Sequence, residues 1–133
     1  METRIHFHQE LEDLYQTVLR MGALAEEQVT KSFIALGNGD GELAQAVIEG
    51  DREIDRLLVT IEDRATKLIA MQQPVATDLR DIICVLKIAS HLERIGDHAR
   101  HFSRAVNKIP EVILESALPD MKEMAQIGTS MVR

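Results

Sequence analysis

The sequence predicts an all-α protein, an up-down antiparallel bundle of three helices followed by a fourth C-terminal helix. Aromatic residues make up only 3% of the chain and apolar residues 45%. The apolar set is rich in alanine, leucine, isoleucine and methionine, which suit helices packed on helices. Three breaks divide the chain into segments with helical periodicity. The connections between these segments are short, which favours antiparallel neighbours.

The three breaks set the predicted limits of the helices. The first break runs from Gly37 to Gly41, and Asp40 within it is a predicted N-cap. The second ends at Pro74, which suits a first helical position. The third covers residues 107–110. Between the breaks, apolar residues recur at three-and-four spacing: Leu11, Leu14, Val18, Met21, Ala25, Val29 and Leu36; Leu43, Val47, Ile54, Leu57, Ile61, Ala65 and Leu68; Val85, Ile88, Leu92, Ile95, Ala99, Phe102 and Val106.

The same pattern predicts two units of unequal completeness. Residues 1–107 are expected to form one complete three-helix unit. Residues 108–133 are expected to form a linker and the first helix of a second, truncated unit, because the pattern at 118–131 echoes that at 11–24 at one constant offset. The last residues carry no helix-stopping signal, which is the expectation for a truncated chain.

Charge and cysteine content exclude several classes of function. A net charge of −7 argues against nucleic-acid binding, which needs a basic face, and against attraction to an anionic membrane. No apolar run approaches the roughly 20 residues of a membrane span, so no membrane insertion is expected. Cys84 is the only cysteine, which favours a reducing, cytoplasmic location. Its apolar neighbours in sequence predict a buried thiol.

Two pairs of acidic residues are predicted to face each other between helices 2 and 3. Asp51 and Asp55 are four residues apart, so they lie on one face of helix 2. Glu93 and Asp97 repeat this spacing on helix 3. In an antiparallel hairpin that turns at Pro74, residues equally far from the turn lie at the same height. Asp51 is therefore level with Asp97, and Asp55 with Glu93.

The clustered carboxylates need a positive partner. Two like charges about 4 Å apart repel by roughly 4 kcal/mol at an effective dielectric constant near 20. A cation relieves this repulsion, and carboxylate oxygens suit Mg, Ca, Mn and Fe. His101, one turn after Asp97, could add a nitrogen that favours iron, manganese or zinc. A salt-bridge ladder is the alternative, for which Arg100 and Arg104 are suitably placed. Spacing alone leaves both interpretations open.

Two glycines accompany the acids. Gly50 precedes Asp51, and Gly96 precedes Asp97, each in the middle of a predicted helix. A glycine there costs about 1 kcal/mol relative to alanine, so it usually has a packing or functional reason. Close approach of helices 2 and 3, which would bring the aspartates within reach of a shared ion, is one such reason. Tight packing without an ion is the other.

Three sequence motifs carry a family resemblance. They are VIEGDREID at 47–55, QPVATDLR at 73–80 and LERIGDHA at 92–99. With these motifs in this order and spacing, the chain resembles the PhoU family of bacterial phosphate-signalling regulators over residues 1 to about 106. The resemblance implies proteins of two three-helix units, with iron or other metals bound at paired Glu/Asp-x-x-x-Asp motifs. Asp51 with Asp55 and Glu93 with Asp97 match those motifs.

The resemblance also implies a function. The family acts as a negative regulator of phosphate uptake and of the phosphate regulon, as a non-enzymatic adaptor between the phosphate ABC transporter and a sensor histidine kinase. It tends to form homodimers. Here the second pair of metal motifs is missing, and His101 stands where relatives commonly have asparagine, so the choice among iron, manganese, magnesium and zinc stays open. The alternatives are a metal-storage or metal-sensing helical bundle and, with least support, a metal-dependent hydrolase.

Overall fold

Three long helices contain most of the described residues of the protein. The computed structural model describes residues 2–106, 108, 120, 123–124, 126–128 and 130–131. Helix α1 spans Glu2–Asn38, α2 spans Gly41–Gln72 and α3 spans Ala76–Ala105. Each helix packs against both of the others, and short connections at 39–40 and 73–75 make consecutive helices antiparallel. The prediction of an all-α, up-down three-helix bundle is confirmed. Among the described residues, no helix combines the length and apolar character needed to cross a bilayer.

The predicted second unit lies mostly outside the described residues. The predicted linker begins at residue 108, and residue 108 is the one described residue of the range 108–119. Of the predicted fourth helix, positions 120, 123–124, 126–128 and 130–131 are described, and all of them are helical. The division of the chain at residue 107 therefore stays a prediction.

The first connection is a tight turn that the sequence predicts well. Gly39 has a φ of +62°, a left-handed conformation that glycine adopts without steric cost. Asp40 follows as the N-cap of α2, and its carboxylate accepts a hydrogen bond from the backbone N–H of Leu43 at 3.1 Å. This bond satisfies one of the amide groups that a helix start leaves without a partner.

The second connection differs in detail from its prediction. Gln73 ends α2 in a left-handed conformation with φ of +43°. Val75 is the extended N-cap of α3, which begins at Ala76. Pro74 therefore precedes the cap and is not the first residue of the helix. Val75 directs the chain back along α2, and the fixed φ of Pro74 stiffens this turn.

The core contains two apolar clusters of unequal size. The larger joins all three helices and contains Phe7, Leu11, Leu14, Val18, Met21, Ala25, Ile54, Ile61, Ala65, Leu68, Ile82, Val85, Ala89 and Leu92. The smaller lies near the first connection and contains Ala35, Leu36, Ala44 and Val106. Four buried polar residues occupy the sequence intervals between these clusters: Gln28, Ser32, Asp51 and Ser103. All four lie between the two clusters along their helices, and the candidate site described below includes one of them.

The buried side chain of Gln28 explains Gly50. The side chain of Gln28 on α1 is buried and donates a hydrogen bond to the carbonyl oxygen of Val47 on α2 at 2.6 Å. A Cβ added at Gly50 would lie 2.9 Å from Nε2 of Gln28 and 3.1 Å from its Oε1. Gly50 thus makes room for a side chain of α1, whereas the sequence suggested close approach of α2 and α3.

Cys84 is exposed, so the prediction of a buried thiol is wrong. The inward face of α3 carries Ile82, Val85 and Ala89, and Cys84 lies between two of these positions on the opposite side of the helix. Its neighbour Ile83 is also exposed. Apolar neighbours in sequence therefore lie on more than one face of α3.

Candidate metal centre

The predicted acids meet on adjacent faces of α2 and α3. One carboxylate oxygen from each of Asp51, Asp55 and Asp97 lies within 4.8 Å of the others. Glu93 adjoins this group and hydrogen-bonds to Asp97 when it carries a proton. His101 is exposed and does not belong to the group of ligand atoms, although it too was a predicted ligand. Three of the five predicted ligands, Asp51, Asp55 and Asp97, thus offer ligand atoms close to one another, and Glu93 lies beside Asp97.

Asp51 is the innermost of these acids. Its side chain is only 2% exposed, whereas Asp55 and Asp97 are half-buried. Its Oδ1 atom is buried and has no hydrogen-bond partner among the described residues. Buried carboxylate oxygens are normally paired, since desolvation without a partner is costly. The orphaned oxygen therefore marks a place where a positive ligand would be favoured.

Gly96 allows the two helices to approach at this point. A Cβ added there would lie 3.1 Å from Oδ1 of Asp51 and 3.1 Å from Cδ1 of Ile54. Such contacts are closer than a normal van der Waals distance, so a larger residue would push α3 away from α2. Gly96 therefore has the role that the sequence predicts, because it lets the buried aspartate lie against the backbone of α3.

An arginine from α3 also reaches the acids. The Nη1 atom of Arg100 lies 3.0 Å from Oδ2 of Asp51, and its Nη2 atom lies 3.5 Å from Oδ1 of Asp97. Arg104, the other predicted competitor, is exposed and acts on Asp51 only through longer-range electrostatics. The geometry thus contains two ion-pair contacts of one arginine, of the kind that a ladder would use, beside a cluster of carboxylates whose negative charge is only partly neutralised.

Burial and mutual repulsion weaken the acidity of the cluster. Burial raises the pKa of Asp51, the charge of Asp55 raises it further, and Arg100 opposes both effects. Burial, a hydrogen bond to Asp97 and the charge of Asp97 raise the pKa of Glu93 to about 7. These causes are those expected for carboxylates that share a partly desolvated site. Near neutral pH the cluster therefore keeps a proton that an isolated glutamate would lose.

The raised pKa of Glu93 predicts that the free energy of unfolding depends on pH. The folded protein holds the proton of Glu93 more tightly than the unfolded chain, so the stabilisation is complete below the ordinary pKa of 4.5 and is lost as the pH rises through about 7. We expect a loss of about 1–2 kcal/mol over this interval, after allowing for partial exposure. The measurement is urea unfolding in EDTA at several pH values. Glu93→Gln is the control, and equal pH profiles for the two proteins would contradict the prediction.

Sequence reasoning missed the interior residue Gln28. It assigned Val29 to the core stripe of α1, but Val29 is half-buried whereas Gln28 and Ser32 are buried. The signal was present, because positions 21, 25, 28, 32 and 35 continue one face of the helix. A search restricted to apolar residues passes over a polar residue in such a stripe.

Relatives of this chain have a common name. The model of the PhoU domain matches residues 18–106. The phosphate-specific transport system accessory protein PhoU of Serratia marcescens is 45% identical over 98 residues, which are 74% of this chain and 40% of that protein. The PhoU homolog of Clostridium acetobutylicum is 43% identical over 108 residues, which are 80% of this chain and 49% of that protein. The chain thus spans less than half the length of these two curated relatives.

Solved structures agree with the sequence comparison. The phosphate transport system regulatory protein PhoU from Streptococcus pneumoniae superposes with a TM-score of 0.86 at 33% identity, over 95% of this chain and 59% of that one. PhoU from Pseudomonas aeruginosa also gives a TM-score of 0.86, at 34% identity, over 95% of this chain and 61% of that one. The matched domain, the sequence identity and the common fold together show that this chain belongs to the PhoU family.

Proposed function

We propose that this chain is a negative regulator of phosphate uptake and of phosphate-regulon signalling. It would act in the cytoplasm as a non-enzymatic adaptor between a phosphate ABC transporter and a sensor histidine kinase, as a homodimer. Membership of the PhoU family supports the phosphate-related role, since the relatives are accessory and regulatory proteins of phosphate transport. The adaptor role goes further than this family relation, because a regulator that couples uptake to gene expression would need contact with both the transporter and the kinase.

We further propose that Asp51, Asp55, Glu93 and Asp97 hold a metal ion. The observation that carries this proposal is the buried Oδ1 atom of Asp51, which lies near two other carboxylates and has no hydrogen-bond partner in the part of the chain that the structure describes. The donor set fits a hard or borderline cation, and iron is the proposed ion, with manganese or magnesium as alternatives. Zinc is less favoured, because an exposed His101 leaves an all-oxygen set. A bound cation would neutralise the carboxylates and tie α2 to α3.

The acidic cluster also supports a second function, a metal-storage or metal-sensing bundle. In that case the ion would be the cargo or the signal, and contacts with a transporter or kinase would be unnecessary. The half-buried Asp55 and Asp97 give an ion access from solvent, which either function requires.

Metal analysis of the purified protein tests the site. Wild type, prepared with and without oxygen, is expected to contain stoichiometric metal, and Glu93→Ala and Asp97→Ala are expected to lose it. Glu62→Ala is a matched control, because Glu62 is an exposed acid on α2 outside the cluster. Metal-free wild type from both preparations would contradict a constitutive site and leave the adaptor role intact.

Affinity capture tests the adaptor. Immobilised protein is expected to retain the transporter ATPase and the sensor kinase from the same bacterium, each supplied as a purified protein. Retention of neither, by a chain that is folded and loaded with metal, would contradict the adaptor role and favour storage or sensing.

A further inference from the structure

Arg100 is the one cation in salt-bridge contact with the acidic cluster among the described residues. Its guanidinium bridges the two helices, with Nη1 3.0 Å from Oδ2 of Asp51 and Nη2 3.5 Å from Oδ1 of Asp97. Both of these aspartates also belong to the group of candidate metal ligands. The arginine therefore neutralises the same carboxylates that a metal ion would use.

The contact between Arg100 and Asp51 is incomplete, which favours replacement of the guanidinium by another cation. An arginine and a carboxylate pair best through two parallel hydrogen bonds. Here Arg100 makes one close contact with Asp51, and two buried atoms, Nε of Arg100 and Oδ1 of Asp51, have no partner in the described part of the chain. Unsatisfied buried atoms on both sides weaken the pair, because each lost its hydrogen bonds to water on folding.

The arginine also has a path out of the site. Its side chain is 27% exposed, whereas Asp51 is 2% exposed. A long arginine side chain can rotate its charged end into solvent while its stem stays on the helix surface. Asp51 has no such freedom, since its side chain is almost completely buried and its Oδ1 atom lies close to Gly96.

We propose that Arg100 is a tethered counter-ion that competes with a divalent cation for Asp51 and Asp97, and that it moves into solvent when the cation binds. This inference rests on the proposed metal site. A guanidinium and a divalent cation that bind the same two carboxylate groups lie close enough to repel each other strongly. Arg100 thus lowers the affinity of the site for metal, and metal binding changes the charge displayed on the surface of α3.

A manganese titration tests the competition. Mn²⁺ is titrated into metal-free wild type, Arg100→Gln and Arg94→Gln, and the dissociation constants are measured by calorimetry. Arg94 is a matched control because it is exposed on the same helix, and no salt bridge described for the chain includes it. We expect Arg100→Gln to bind about tenfold more tightly than wild type, and Arg94→Gln to stay within about twofold because exposed charges are screened.

The outcomes separate this inference from the metal site itself. Equal affinities of wild type and Arg100→Gln would overturn the competition and leave the metal site intact. Binding by Arg100→Gln alone would support the competition and remove the metal from the native function. Binding by neither protein, when both are folded by circular dichroism, would overturn the site and the competition together.

A second measurement follows the arginine directly. The Hε proton of Arg100 is expected to exchange slowly with water in the metal-free protein, because Nε is buried. Addition of diamagnetic Mg²⁺ to saturation is expected to raise this exchange rate by about tenfold or more as the side chain enters solvent. Slow exchange that persists in the Mg²⁺-bound protein would overturn the proposed movement.

Discussion

Replacement of Gly96 by leucine is expected to lower the free energy of unfolding by about 2–4 kcal/mol, the usual cost of severe overpacking in a core. The first added atom would already lie 3.1 Å from both Asp51 and Ile54, two fully buried side chains on α2. The remaining atoms have no space unless α3 moves away. Urea unfolding followed by circular dichroism at pH 7.5 measures the change.

Gly22 supplies the control for this prediction. A Cβ at Gly22 would meet only Cδ1 of Leu92, at an ordinary distance of 3.8 Å. The free energy of unfolding of Gly22→Ala is therefore expected to rise by up to about 1 kcal/mol, because alanine has a higher helix propensity than glycine. In Gly96→Ala the propensity contributes the same amount, but the added Cβ must displace Asp51 and Ile54, so this variant is expected to be less stable than Gly22→Ala. Equal stabilities of Gly96→Leu and wild type would show that the two helices do not depend on close approach at Gly96.

Replacement of Asp51 by asparagine is expected to separate metal binding from folding. The raised pKa of Asp51 shows that the folded site disfavours its charge. A carboxyl group with a raised pKa contributes less to stability as the pH rises above its ordinary pKa, so ionisation of Asp51 costs stability in the folded protein. The neutral, similarly shaped asparagine should therefore leave the metal-free protein as stable as wild type or more so, although it removes one of the two charge partners of Arg100 and leaves Asp97 as the other.

The same substitution is expected to lower the affinity for Mn²⁺ by about a hundredfold or more, because it removes a charged oxygen ligand. Thermal unfolding with and without Mn²⁺ measures both effects: the metal should raise the Tm of wild type and leave that of Asp51→Asn unchanged. Asp63→Asn is the matched control, since Asp63 is an exposed acid on α2 paired with Lys67. A metal-dependent rise in Tm that survives in Asp51→Asn would contradict the assignment of Asp51 as a ligand.

The position of the acids could be predicted because it depends on few variables. Helical spacing fixes Asp51 and Asp55 on one face, and a connection as short as 73–75 fixes the register of α2 against α3. Residues equally far from such a turn must then lie at similar heights. The N-cap at Asp40 was predictable for the same reason, since its hydrogen bond to Leu43 is local.

Features that depend on three helices at once could not be predicted with the same accuracy. The predicted stripe of α3 included Ile88, which is 50% exposed, because two apolar stripes run along that helix and periodicity does not tell which one faces α1 and α2. Spacing placed Arg100 near the acids but not in contact with Asp51, since a long side chain has many rotamers. The interior place of Gln28 depends on the space that Gly50 leaves on α2.

The division of the core into two apolar clusters has a consequence for the way the bundle opens. In the described part of the chain, the small cluster near the first connection contains the buried residues Ala35, Leu36, Ala44 and Val106. Because so small a cluster buries little apolar area, we expect the amide protons around it to exchange with solvent faster than those around Met21 and Ile61 in the larger cluster. Along α2 and α3, Asp51 and Arg100 lie between the two clusters. We therefore expect their ion pair to mark the boundary between the end of the bundle that opens readily and the end that stays closed.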